Sequence, residues 1–60
     1  IEDNCHISTG SIVNGAVIVK RNSFIGSGAV IKQKIKIGKA SLVNAKKFID
    51  RNLKDNSKIL

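Results

Sequence analysis

Residues 1 to 31, IEDNCHISTGSIVNGAVIVKRNSFIGSGAVI, carry an aliphatic residue at every sixth position: Ile1, Ile7, Val13, Val19, Ile25 and Ile31. The series continues through Ile37, Val43 and Ile49. An α-helix turns about 100° per residue, so side chains six apart would scatter around its surface. A plain strand would keep all nine on one face, but the alternate positions of that face should then be apolar too. Asp3, Thr9, Gly15, Arg21, Ser27, Gln33 and Lys39 are not. The chain must therefore bend once per repeat. The spacing predicts a solenoid of short strands, one hexad per flat side, in which one aliphatic side chain per side reaches the axis. The fifth place of the hexad holds Cys5, Ser11, Val17, Ser23, Ala29, Ile35 and Ser41, and it too is expected to face inward, where space is short.

Composition agrees with stacked strands. Ten Ile and five Val supply a β-branched bias, and Pro, Met, Trp and Tyr are absent. Sixty residues bury little surface alone, so association with other chains is expected. The series starts in register on an inward Ile without an initiator Met, which reads as the C-terminal part of something longer, its upstream domain lying outside this stretch. No apolar run approaches a membrane span, and no membrane partner is expected. The net charge of +7 comes from eleven Lys and Arg spread over the turns, only two of them Arg. With Phe24 and Phe48 as the only aromatics, a stacking platform for single-stranded nucleic acid is missing, and no nucleic-acid partner is expected. The cations are either a solvated surface or a means of steering a polyanionic ligand.

The segments SFIGSGAVI (residues 23–31), IKIGKASLVNA (residues 35–45) and DNS (residues 55–57) resemble the hexapeptide-repeat acyltransferases. The resemblance implies an all-β, left-handed parallel β-helix with three hexads per coil. Coils are expected at 1–18, 19–36 and 37–54, with residues 55–60 starting a C-terminal strand or tail. Such a left-handed path departs from the usual right-handed crossover. Stacking by eighteen places Ile1, Val19 and Ile37 on one side, Ile7, Ile25 and Val43 on the second, and Val13, Ile31 and Ile49 on the third. Corners are expected at Asn14-Gly15, Gly26-Ser27-Gly28, Gly38-Lys39 and Asn44-Ala45, where left-handed backbone angles are tolerated. After Lys46 the period weakens, and AKKFIDRNLKDNSKIL (residues 45–60) also fits a short amphipathic helix.

The segment CHISTGSIVNG (residues 5–15) is similar to the subfamily of sialic acid O-acetyltransferases and bacillosamine-type sugar N-acetyltransferases. The resemblance implies acetyl-CoA as acyl donor, a sugar or nucleotide-sugar acceptor and a homotrimer. By position His6 would sit beside the acetyl group, and the N–H of Gly15 would point at the thioester oxygen. Acyl transfer needs a base for the acceptor and a donor for the developing oxyanion. The subfamily's general-base His lies in a preceding coil that this sequence does not contain. The pantetheine arm would follow the column Thr9, Ser27 and Ala45 with Gly28 and Lys46 beside it, and Lys46, Lys47 and Arg51 would meet the phosphates. A metal site is not expected, because one His and one Cys are the only soft donors. A lone Cys in an inward place reads as a structural thiol and fits a reducing cytoplasm. Two other readings stand beside the acetyltransferase: a trimerisation or regulatory tail of another enzyme, such as a sugar nucleotidyltransferase, and a purely structural β-helix.

Overall fold

The computed structural model describes residues 1–60, and it is all-β. Eight two-residue strands follow one another at the hexad spacing, β1 (His6–Ile7), β2 (Ile12–Val13), β3 (Ile18–Val19), β4 (Phe24–Ile25), β5 (Val30–Ile31), β6 (Lys36–Ile37), β7 (Leu42–Val43) and β8 (Phe48–Ile49), and a ninth, β9 (Lys58–Ile59), begins ten residues after β8. They stack in parallel as three sheets, β1-β4-β7-β9, β2-β5-β8 and β3-β6. These are the three sides of a left-handed β-helix of about three turns, here called the first, second and third side. The amphipathic-helix alternative for residues 45–60 does not form; β8, a bridge from Leu53 to Ile37 and β9 occupy it.

The register is the eighteen-residue one through the first two turns: His6 pairs with Phe24, Ile12 with Val30 and Ile18 with Lys36. Each strand therefore turns its second residue toward the axis. Val19, Ile25, Ile31, Ile37 and Val43 are fully enclosed, and Ile49 nearly so. Ile7 and Val13 are half-buried against this core. Ile1, at the end of the described stack, is 68% exposed. The fifth places behave as the small-residue argument requires, with Ser23, Ala29, Ile35 and Ser41 buried.

The third turn is shorter than the sequence suggested. Ile37 pairs with Leu53 and Val43 with Ile59, so the turn closes in sixteen residues rather than eighteen (53 − 37 and 59 − 43). Asp55 falls where a strict period would put an inward aliphatic, and Leu53, buried, takes that role two residues earlier. The corner after β8 shrinks accordingly to a bend at Arg51. Asp55-Asn56 then makes an ordinary corner, Asn56 with φ 61°.

Polar groups inside the coil form a second column. Ser23 Oγ donates to Gly38 O at 2.9 Å, Ser41 Oγ donates to Lys54 O at 3.1 Å, and Cys5 Sγ lies 3.1 Å from Lys20 O. The thiol therefore occupies a serine's place and makes a serine's contact. Cys5→Ser is expected to leave the thermal unfolding midpoint nearly unchanged, within about 1 kcal/mol of stability, since the hydroxyl takes over the same carbonyl. A loss of several kcal/mol in a denaturant titration would show that the sulfur packs in a way the column does not capture.

Candidate functional site

Corners, not strands, present backbone to solvent in this fold. At every corner but the bend at Arg51 the chain turns through one left-handed residue: Asn4, Gly10, Ala16, Asn22, Gly28, Lys34, Ala40, Lys46 and Asn56 all have φ between 53° and 72°. Its N–H donates to the corner of the turn below, as from Gly28 to Thr9 O at 3.1 Å, from Lys46 to Ser27 O at 2.9 Å and from Lys34 to Gly15 O at 3.0 Å. Three corner columns result. Thr9-Gly10, Ser27-Gly28 and Ala45-Lys46 lie between the first and second sides. Gly15-Ala16 and Gln33-Lys34 lie between the second and third, and Asp3-Asn4, Arg21-Asn22, Lys39-Ala40 and Asp55-Asn56 between the third and first.

Ser27, Gly28, Ala45 and Lys46 thus share one column, as the period required, and all four are exposed. Gly28 takes φ +71° and Gly10 beneath it +72°, so this corner uses glycine where the other two use Asn, Ala or Lys. Lys46 ends that run: a left-handed lysine whose side chain lies over Gly28, since a Cβ built on Gly28 would come 3.4 Å from Lys46 Cγ.

Gly15 sits elsewhere. It opens the corner between the second and third sides, but the left-handed angle the sequence led one to expect of it belongs to Ala16. A Cβ added at Gly15 would meet nothing within 4 Å. Neither backbone conformation nor packing demands glycine there. Its N–H donates to no group of the chain, as is also true of Thr9, Ser27 and Gln33 at the equivalent places, whereas three corner N–H groups are capped by side chains: Arg21 by Glu2 Oε1 at 3.0 Å, Lys39 by Asp55 Oδ1 at 2.8 Å and Ala45 by Asn44 Oδ1 at 2.8 Å.

His6 is the outward residue of β1, exposed on the first side. Its ring stacks on Phe24 of the next turn, with centroids 5.1 Å apart and planes 5° from parallel. The eighteen-residue register puts one directly over the other. This stack fixes the plane of the imidazole and leaves its edge to solvent. The sequence did not single out Phe24; the pairing of positions 6 and 24 was the signal available.

In a three-sided coil each side faces away from the corner opposite. His6, on the first side, and Gly15, at the corner between the second and third, therefore point in different directions, and a single chain does not bring them together. His6 and the Ser27 column are neighbours around one edge; Gly15 is separated from them by the second side. The open hollow of the surface, about 330 Å³, lies at Glu2, Asp3 and Arg21 and includes none of these residues. Lys46, Lys47 and Arg51 are exposed, and Arg51 lies 3.9 Å from Asp50.

Comparison with known proteins gives one match. Residues 1–33 match the family model described as bacterial transferase hexapeptide (six repeats). No curated protein and no solved structure matches the chain.

Proposed function

The chain belongs to the bacterial transferase hexapeptide family, and from that premise we propose that it forms the acetyl-CoA-binding part of a sugar O- or N-acetyltransferase that works as a homotrimer in the cytoplasm. The observation that carries the reading is Gly15. A position that needs glycine neither for its φ nor for its packing, and whose N–H has no partner, is suited to a ligand that approaches the backbone closely. A thioester carbonyl is such a ligand: when an acceptor oxygen or nitrogen adds to its carbon, negative charge grows on the oxygen, and a fixed N–H 2.7–3.1 Å away stabilises it.

The other residues fit the same group. Ser27, Gly28 and Ala45 present small side chains along an exposed edge parallel to the coil axis, which leaves room for an extended arm. Lys46, near the C-terminal turn, supplies a cation for phosphate. His6, held by Phe24, offers an imidazole edge to the acetyl end. Acetyl-CoA supplies the activated acyl group; acetyl moves to the acceptor as the C–S bond breaks, and the acceptor's proton leaves for a base while coenzyme A departs as thiol or thiolate.

The test is calorimetric titration of acetyl-CoA into the purified protein and into Gly15→Val. The Cβ space and the ordinary φ at Gly15 predict an unchanged circular dichroism spectrum and unfolding midpoint, with affinity lowered at least about tenfold, equivalent to about 1.4 kcal/mol. Ser27→Trp is expected to weaken binding similarly by filling the edge. Wild-type affinity in Gly15→Val would remove the observation on which the reading stands.

A further inference from the structure

Asn14-Gly15 is the chain's one Asn-Gly step. Both residues are exposed, where β2 gives way to the corner between the second and third sides. The carboxamide carbon of an asparagine lies within one ring closure of the next residue's main-chain nitrogen, whose attack forms a succinimide. Closure is easiest where that N–H is not engaged, where the next residue has no side chain to crowd it, and where the surroundings leave room. Gly15 meets all three conditions: its N–H donates to no group of the chain, and a Cβ there would meet nothing within 4 Å.

The other asparagines lack this combination. Asn44 precedes Ala45, whose N–H donates to Asn44 Oδ1 itself at 2.8 Å. Leu53, after Asn52, donates to Lys36 O at 2.9 Å, and Ser57, after Asn56, donates to Lys54 O at 3.2 Å. Asn4 and Asn22 hold one another, Nδ2 to Oδ1 at 2.9 Å, and each precedes a residue whose side chain turns inward, Cys5 and Ser23. We propose that Asn14-Gly15 is a modification site, at which the folded chain deamidates through a succinimide ahead of every other asparagine, and that the product loosens the corner it occupies.

The Gly15 nitrogen loses its proton to solvent and bonds to Asn14 Cγ; the Cγ–Nδ2 bond breaks, and the amide nitrogen takes a proton from solvent and departs as ammonia. Water then adds to one of the two imide carbonyls. Opening at the former Cγ leaves an aspartyl residue at position 14, and opening at the main-chain carbonyl leaves an isoaspartyl residue, with the chain routed through the former side chain. Nothing is oxidised or reduced. One contact opposes closure, Asn14 Nδ2 donating to Ile31 O at 2.8 Å. It engages the leaving nitrogen and leaves the attacking one unprotected, and a single bond of this kind slows the ring by no more than about tenfold. The same contact makes the product costly. The aspartyl form sets a carboxylate against Ile31 O, two acceptors without a proton between them. The isoaspartyl form adds a main-chain methylene beside Gly15, whose carbonyl accepts from Lys34 N–H at 3.0 Å, and so strains the corner above.

The test incubates the native protein at mildly alkaline pH and follows each asparagine by tandem mass spectrometry of digests. Isoaspartyl content is read by methyl transfer from S-adenosylmethionine with an isoaspartyl methyltransferase, and circular dichroism checks that the chain stays folded. The amide-to-acid mass gain is expected first at position 14, with isoaspartyl content rising in step. In Gly15→Ala, where a methyl crowds the nucleophile, the rate is expected to fall at least about tenfold. Asn14→Asp is expected to unfold at a lower urea concentration than the parent. A gain that appears first at another asparagine, an unchanged rate in Gly15→Ala, or a gain at position 14 only after unfolding in urea overturns the modification site. Asn14→Asp as stable as the parent overturns the loosening of the corner.

Discussion

Ile25→Ala is expected to cost about 2–5 kcal/mol of unfolding free energy, and Arg21→Ala, four residues away, less than about 0.5. Ile25 is fully enclosed at the centre of the first side, paired with Ile7 below and Val43 above. Truncating it removes three methyl or methylene groups from the axis and leaves a void that neighbouring turns cannot close, because their spacing is fixed by the ladder. Arg21 opens a corner and is exposed; what the fold uses there is its backbone N–H, capped by Glu2, and any residue keeps that. A domain of this size has only about 3–9 kcal/mol in total, so the alanine at position 25 consumes much of it. Urea titration of both variants decides the matter: equal midpoints would mean that the six-residue register assigned to the chain is wrong.

That register was open to reading because each strand repeats one steric demand. A position that must point at the axis between two others accepts only an aliphatic of limited size, and nine such positions at fixed spacing leave no other structure. Serine and cysteine at the fifth place were legible for the same reason, as was the shared corner of Ser27 and Ala45. The shortened third turn was harder to see. A strict period stops at Ile49, and the continuation to Leu53 shows only as an Asp where an aliphatic is due and a Leu two residues early. The outward direction of isoleucines 12 and 18 followed from the same series, which puts Val13 and Val19 on the axis. The candidate site was legible as residues and not as a place: the motif names His6 and Gly15 together, whereas the coil sends them to different sides, and chain order alone does not reveal that a side intervenes.

Glycine sorts structural from functional positions more sharply than any other residue here, and the last prediction turns on it. Gly26→Ala and Gly38→Ala are expected to cost about 3 kcal/mol or more each, enough to unfold much of the protein, while Gly15→Ala changes stability by a few tenths. None of the three needs a left-handed backbone. The difference is what lies above. A Cβ on Gly26 would come 2.5 Å from Ala45 N and 2.7 Å from the carbonyl carbon of Asn44, and one on Gly38 would collide with the backbone of Lys54 and Asp55. In both places the next turn leans inward over the glycine. Asn44 folds its own amide back to cap Ala45 N–H, and the sixteen-residue third turn draws Asp55 down so that its carboxylate caps Lys39 N–H. The obstructing atoms are main chain, so relief requires the turn above to lift, which breaks Gly26 N–H to Val43 O at 2.7 Å or Gly38 N–H to Leu53 O at 2.9 Å and opens the ladder beside it. Gly38→Ala should bear hardest on the C-terminal turn, where β9 and Leu53 depend on the short corner, and hydrogen exchange at Leu53 and Leu42 is expected to rise first. Should Gly38→Ala unfold at the same denaturant concentration as Gly15→Ala, the turn above would be mobile enough to yield, and the close stacking of the third turn on the second would be refuted.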